Sequence, residues 1–96
     1  MFLIKIYQAA TADLQDAYDW YEEQNVGLGE RFIIEVDQYL DLIRENPYLF
    51  AVQFSGTHHF ALLKHFPFRI VYRIDDGQKC IYVSAVFHTS RDPKKY

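Results

Sequence analysis

Cysteine is nearly absent from this 96-residue chain. Cys80 stands alone, so no intramolecular disulfide can form, which suits a reducing cytoplasm. Glycine is scarce too: the four glycines (27, 29, 56 and 77) fall at turns, and none belongs to a loop that cradles phosphate. No apolar run approaches the ~20 residues that span a bilayer. The opening MFLIKIYQAATADLQ has too short an apolar stretch for a signal peptide and no cleavage-site pattern, so a soluble, cytoplasmic protein is expected. Four histidines and one cysteine show neither C-x-x-C nor H-E-x-x-H spacing, which excludes the usual zinc sites; no metal or cofactor is expected. Ser55, Ser84 and Ser90 lack a nucleophile elbow, so a serine triad has no support.

What is present is apolar and aromatic. Half of the residues are hydrophobic and 18% are aromatic, enough to specify a packed core and to exclude disorder. A chain of this length buries about 65% of its unfolded surface and supports one domain, residues 1–96. The net charge of −3 hides a division. Residues 1–56 carry three basic and ten acidic side chains; residues 57–96 carry seven basic, three acidic and all four histidines. The local field, not the total, decides what a surface attracts. Two ordinary solvated faces would read the same way.

Periodicity predicts an α+β order. Phe2–Tyr7 is a short β-rich run. Thr11 is a helix N-cap candidate, and Leu14, Ala17, Tyr18 and Tyr21 recur at helical spacing until Asn25 and Gly27 end the segment. Tyr18, Trp20 and Tyr21 read as core or helix–helix packing. A second helix runs from Leu28 to Asn46 on a stripe of Leu28, Phe32, Val36, Leu40 and Ile43, and Pro47 stops it. The short link makes the two helices an antiparallel hairpin. A short strand near Val52–Phe54 precedes three strands at about 58–66, 68–75 and 79–88. Asp76-Gly77 suits a two-residue turn that would set Ile74 opposite Lys79, Tyr72 opposite Ile81 and Ile70 opposite Val83. Arg69, Val71 and Arg73 then face away from the helices, with Arg69 opposite Ser84, Val71 opposite Tyr82 and Arg73 opposite Cys80.

Five pieces in this order resemble one family. They are Trp20-Tyr21-Glu22 in an acidic helix, LGERF at Leu28–Phe32, the Asn46-Pro47 stop, LLKHFPFRIVYRI, and AVFHTSRDP. Nearly the whole chain resembles the RelE/ParE superfamily of toxins from bacterial type II toxin–antitoxin modules. The resemblance implies one small sheet in which the N-terminal strand lies beside a C-terminal one, packed under the helical hairpin. It also implies growth inhibition and neutralisation by a cognate antitoxin, and it leaves the oligomeric state open.

Three activities fit that resemblance. RelE-like members are ribosome-dependent mRNA endoribonucleases that need no metal. On that reading Arg69 would contact the scissile phosphate, Lys64 would supply a second cation, and His88, Arg91 and Tyr96 would complete the catalytic set. Such chemistry needs a base for the 2′-hydroxyl, a cation for the phosphorane and an acid for the leaving oxygen. This chain departs from the nucleases at GTHHFALLKH, where they carry several lysines or arginines; His58 and His59 are the substitutes on offer. Its FPF turn and HTSRDP ending stand closer to the ParE branch, whose members poison DNA gyrase by binding it. The third reading is an attenuated member that binds antitoxin without toxicity. In the bland readings His88 is a hydrogen-bonded strand end, Tyr96 a frayed terminus, and Arg91 a surface ion pair with Asp92 or a helix carboxylate.

Overall fold

The computed structural model describes residues 2–50, 52–53 and 57–90. Strand β1 (Leu3–Ile6) leads directly into helix α1 (Gln8–Gln24). The Tyr7 amide still donates to Val83 O at 2.9 Å, while the Thr11 amide already donates to Tyr7 O at 3.0 Å. Sheet pairing therefore ends where helix bonding begins. Thr11 lies inside the first turn, and Tyr7, without a side-chain cap, holds the N-cap position expected of Thr11. Asp13 serves a different purpose: its Oδ2 accepts the Val86 amide at 3.0 Å and pins α1 to the sheet.

Helix α2 (Leu28–Glu45) follows the expected stripe, with Phe32, Val36, Leu40 and Ile43 buried and Asn46 as C-cap. The link from α1 is held by a carboxylate. Glu22 accepts the amides of Gly27 (3.1 Å), Gly29 (2.9 Å) and Glu30 (3.3 Å), so an α1 side chain satisfies the free N–H groups at the start of α2. Gly27 enters that turn at φ 90°, a left-handed conformation that disfavours any residue with a Cβ. Gly29 is required for a different reason. A Cβ there would lie 2.6 Å from Tyr18 O and 2.8 Å from Glu22 Cγ. Gly29→Ala should therefore push the helices apart and cost about 1–2 kcal/mol net, even though alanine is the better helix former. Urea unfolding would measure the loss.

Four more strands complete the sheet: β2 (Val52–Gln53), β3 (His58–Leu62), β4 (Phe68–Asp75) and β5 (Cys80–His88). Their spatial order is β1-β5-β4-β3-β2, with β1 parallel to β5 and the other pairs antiparallel. Strand β3 ends four residues before its expected limit, because His65 is held by α2. The carboxylate of Glu35, on α2, accepts the His65 amide at 2.9 Å and lies 2.6 Å from its Nδ1. The turn over 63–67 is thus tied to a helix and cannot extend a strand.

Between the helices and the sheet lies the main core. Ala17 and Tyr21 of α1 and the α2 stripe meet Ile70 and Tyr72 of β4 and Ile81, Val83 and Val86 of β5. The Tyr72 hydroxyl, fully buried, donates to Pro47 O at 2.7 Å. Trp20 departs from expectation: it is 57% exposed and meets the Tyr21 ring edge-on.

Candidate functional site

Register decides which side chains can work together. The β4–β5 connection is longer than a two-residue turn. Asp75 pairs with Cys80, leaving Asp76-Gly77-Gln78-Lys79 as the loop, with Lys79 at φ 52° and the Asp75 carboxylate accepting the Gln78 amide at 3.2 Å. Ile74 consequently lies opposite Ile81 and Tyr72 opposite Val83. This two-residue shift from the expected register preserves the faces, since strand side chains alternate with period two. A bulge between Val71 and Tyr72 then changes the count: Val71 pairs with Ala85, Arg69 with Phe87 and Phe68 with His88. Ser84 is the extra residue, and beyond it every β5 side chain sits on the opposite face from the one a regular ladder would assign.

The consequence for the candidate residues is direct. His88 shares the helix-side face with Phe68, whose ring it meets edge-on at 5.3 Å. Arg69, the next residue along β4, points to the other face, half-buried, its side chain making no hydrogen bond or ion pair with the described residues. Lys64 sits exposed in the 63–67 turn, not on a strand. Arg91 and Tyr96 lie outside the described residues. Of the five residues nominated for nuclease chemistry, the three that are described occupy three different places.

The remaining basic candidates are committed elsewhere. The Arg73 guanidinium donates to the Tyr7 hydroxyl at 3.2 Å and stacks over the Tyr82 ring at 4.3 Å, joining β4 to the start of α1. His59 is buried: its Nδ1 lies 2.7 Å from Phe50 O and its ring stacks on Tyr72 at 5.1 Å. His58 is half-buried and within 3.1 Å of the Thr57 hydroxyl. The histidine pair opens β3 and is not a surface loop. Nor is the sheet's outer face simply charged, because Phe60, Val71 and Phe87 form a second buried cluster there. Among the described residues no group of three or more His, Cys, Asp or Glu could hold a metal ion, and no helix is long and apolar enough to cross a membrane.

On the helix side, by contrast, a cavity of about 630 Å3 opens between α1, the start of β4 and the end of β5. Asp13, Asp16, Trp20, Tyr21, Phe68 and His88 line it. Burial raises the Tyr21 hydroxyl above the ordinary tyrosine value, so the ring remains neutral there. The Ser90 amide donates to His88 Nδ1 at 3.2 Å and its hydroxyl lies 2.7 Å away, an arrangement that fixes the ring. Sequence reading passed over this site because Trp20 looked like core. The available signal was spacing: Asp13, Ala17 and Trp20 recur along one helix face, with a small residue between the carboxylate and the ring.

Comparison with known proteins supplies the context. The fold matches a chain of the chromosomal ParDE toxin–antitoxin system from P. aeruginosa, with a TM-score of 0.79 at 17% identity, covering 94% of this chain and 98% of that one. It matches the isolated E. coli RelE toxin with a TM-score of 0.69 at 14% identity, over 98% of this chain and 90% of the other. A chain of the toxin–antitoxin complex RelBE2 from Mycobacterium tuberculosis gives a TM-score of 0.63 at 20% identity, over 91% and 96%. At these identities the likeness establishes the fold. No curated protein sequence matches. The family model for the ParE toxin of the type II toxin–antitoxin system parDE matches residues 4–93, nearly the full length, and this chain therefore belongs to the ParE toxin family of type II toxin–antitoxin systems.

Proposed function

We propose that this ParE-family chain inhibits growth by binding DNA gyrase in the cytoplasm and is held in check by a cognate antitoxin. The observation that carries the choice of a binding poison over a ribonuclease is the separation of Arg69 from His88 by the sheet. Metal-free RNA cleavage brings a base, an acid and a cation to one phosphate, within hydrogen-bond reach. Arg69 on one face and His88 on the other are not placed to share a phosphate, which favours the binding reading. Arg73, engaged with Tyr7 and Tyr82, does not complete either set. Solved relatives that include toxin–antitoxin complexes support the antitoxin as partner.

Two assays on the purified protein test the proposal. Gyrase supercoiling should fall with added protein, and cleaved-DNA complexes should accumulate. In cell-free translation the mRNA should stay intact. New 5′ ends at ribosomal A-site codons, lost in folded Arg69→Ala, would overturn the proposal in favour of the nuclease. Silence in both assays, with antitoxin binding retained, would identify the chain as an attenuated member.

A further inference from the structure

The cavity beside α1 has an aromatic wall and an acidic wall that together select an occupant; the His88 imidazole, its Nδ1 engaged by Ser90, also lines it. Trp20, Tyr21 and Phe68 present aromatic surface, with Trp20 57% exposed at the mouth. Asp13 and Asp16, three residues apart on the same helix, present carboxylates. Asp13 uses Oδ2 for the Val86 amide, which leaves Oδ1 for a second donor. The Asp16 side chain is exposed and makes no hydrogen bond or ion pair with the described residues.

An anion would be repelled here, and a wholly apolar group would strip water from the carboxylates without replacing it. A cation that is also flat satisfies both walls. A guanidinium stacks on an aromatic face while its N–H fork donates to carboxylates, whereas a lysine ammonium is compact, strongly hydrated and less suited to stacking. The volume of about 630 Å3 exceeds one side chain and leaves room for a flanking apolar residue against Phe68 and Tyr21. The charge of the first half of the chain, ten acidic side chains against three basic, favours the same sign of ligand.

We propose that this cavity receives an arginine side chain of the antitoxin, with Asp16 and Asp13 as acceptors and Trp20 as the ring beneath the guanidinium. The source of the arginine rests on the reading of the chain as an antitoxin-bound protein; the preference for guanidinium does not. Trp20 is the single tryptophan, so its emission reports occupancy directly.

Titration with N-acetyl-arginine amide should give a saturable change in Trp20 emission at millimolar concentration. The uncharged N-acetyl-citrulline amide should bind roughly tenfold more weakly. Asp16→Asn, at an exposed position with an unchanged circular dichroism spectrum, should shrink the difference to about threefold or less, since Asp13 and Trp20 remain. Equal responses to arginine and citrulline, or none to either, overturn the site. The second arm uses the antitoxin encoded by the neighbouring reading frame. Asp16→Arg should weaken that complex at least about tenfold, as expected for a like charge placed in a cation site. Wild-type affinity in Asp16→Arg overturns the assignment to the antitoxin. An antitoxin that fails to bind even the wild-type chain overturns the functional reading instead, while the arginine titration still judges the cavity.

Discussion

Phe32→Ala should destabilise the protein by about 3–5 kcal/mol, the range for removing a fully buried phenylalanine. Phe32 has no exposed surface. Its ring meets Tyr21 of α1 at 5.5 Å, Phe66 of the 63–67 turn at 5.3 Å and Phe68 of β4 at 5.1 Å. One side chain on α2 thus holds three other parts of the fold in contact. Its loss leaves a cavity among rings that cannot collapse independently, because Pro67 fixes the chain between Phe66 and Phe68. A domain of this length is stable by roughly 5–14 kcal/mol, so the change removes a large fraction of the total. Thermal unfolding should show a melting temperature lower by roughly 15–30 °C. A shift of only a few degrees would mean that the three-ring contact is not what holds the hairpin to the sheet.

Glu35 is the second position where a large effect is expected, and its effect depends on pH. Burial alone would raise its carboxyl, but the His65 amide, the His65 ring with its charge, and the Lys64 amide together hold it below the ordinary value of 4.5. A carboxylate with a depressed folded-state value stabilises the fold in full above its unfolded value, and the contribution disappears as pH falls through the folded value. Glu35→Ala should therefore cost about 2–3 kcal/mol at pH 7, as charge-assisted hydrogen bonds to a nearly buried acceptor are lost. The His65 side chain is 68% exposed, so most of the loss comes from the backbone amides and little from the ion pair. Glu35→Gln keeps an acceptor and removes the titration. Urea unfolding of wild type and Glu35→Gln should differ at pH 7 and converge as pH drops below 4.5. A difference that stays constant down to pH 3 would show that the carboxylate is not the group being titrated.

How much of this could be read from the chain varies with the kind of interaction. The α2 stripe was legible because Phe32, Val36, Leu40 and Ile43 repeat at helical spacing and Pro47 cannot continue a helix. The inward face of β4 was legible for the same reason at period two, since Ile70 and Tyr72 alternate with Arg69, Val71 and Arg73. The bulge at Val71/Tyr72 was not, because Ser84 bears no mark that distinguishes an extra residue from a paired one. That single residue moved His88 to the helix side and undid the expected grouping with Arg69. Loop length was misread for a related reason. Asp76-Gly77 is a good short-turn dipeptide, yet Lys79 takes the left-handed conformation that a longer loop needs. The meaning of LGERF also waited for the structure: whether Gly29 is a flexible residue or a contact point depends on what lies opposite, here the Tyr18 carbonyl.

The parallel edge strand imposes an order of events on folding. Leu3 pairs with Cys80 and Ile6 with Val83, so among the described strands β1 has no neighbour until β5 is in place. Helix α1 waits as well, since Asp13 anchors it through the Val86 amide. A chain released at any point before β5 has an unpaired N-terminal strand and an untethered α1, and closing so long a loop is the slow kind of contact to form. Strand β5 is thus what converts a partly ordered chain into a folded one. A chain that lacks β5 keeps neither its edge strand nor its first helix in place, so the longest-range contact in the fold governs its completion.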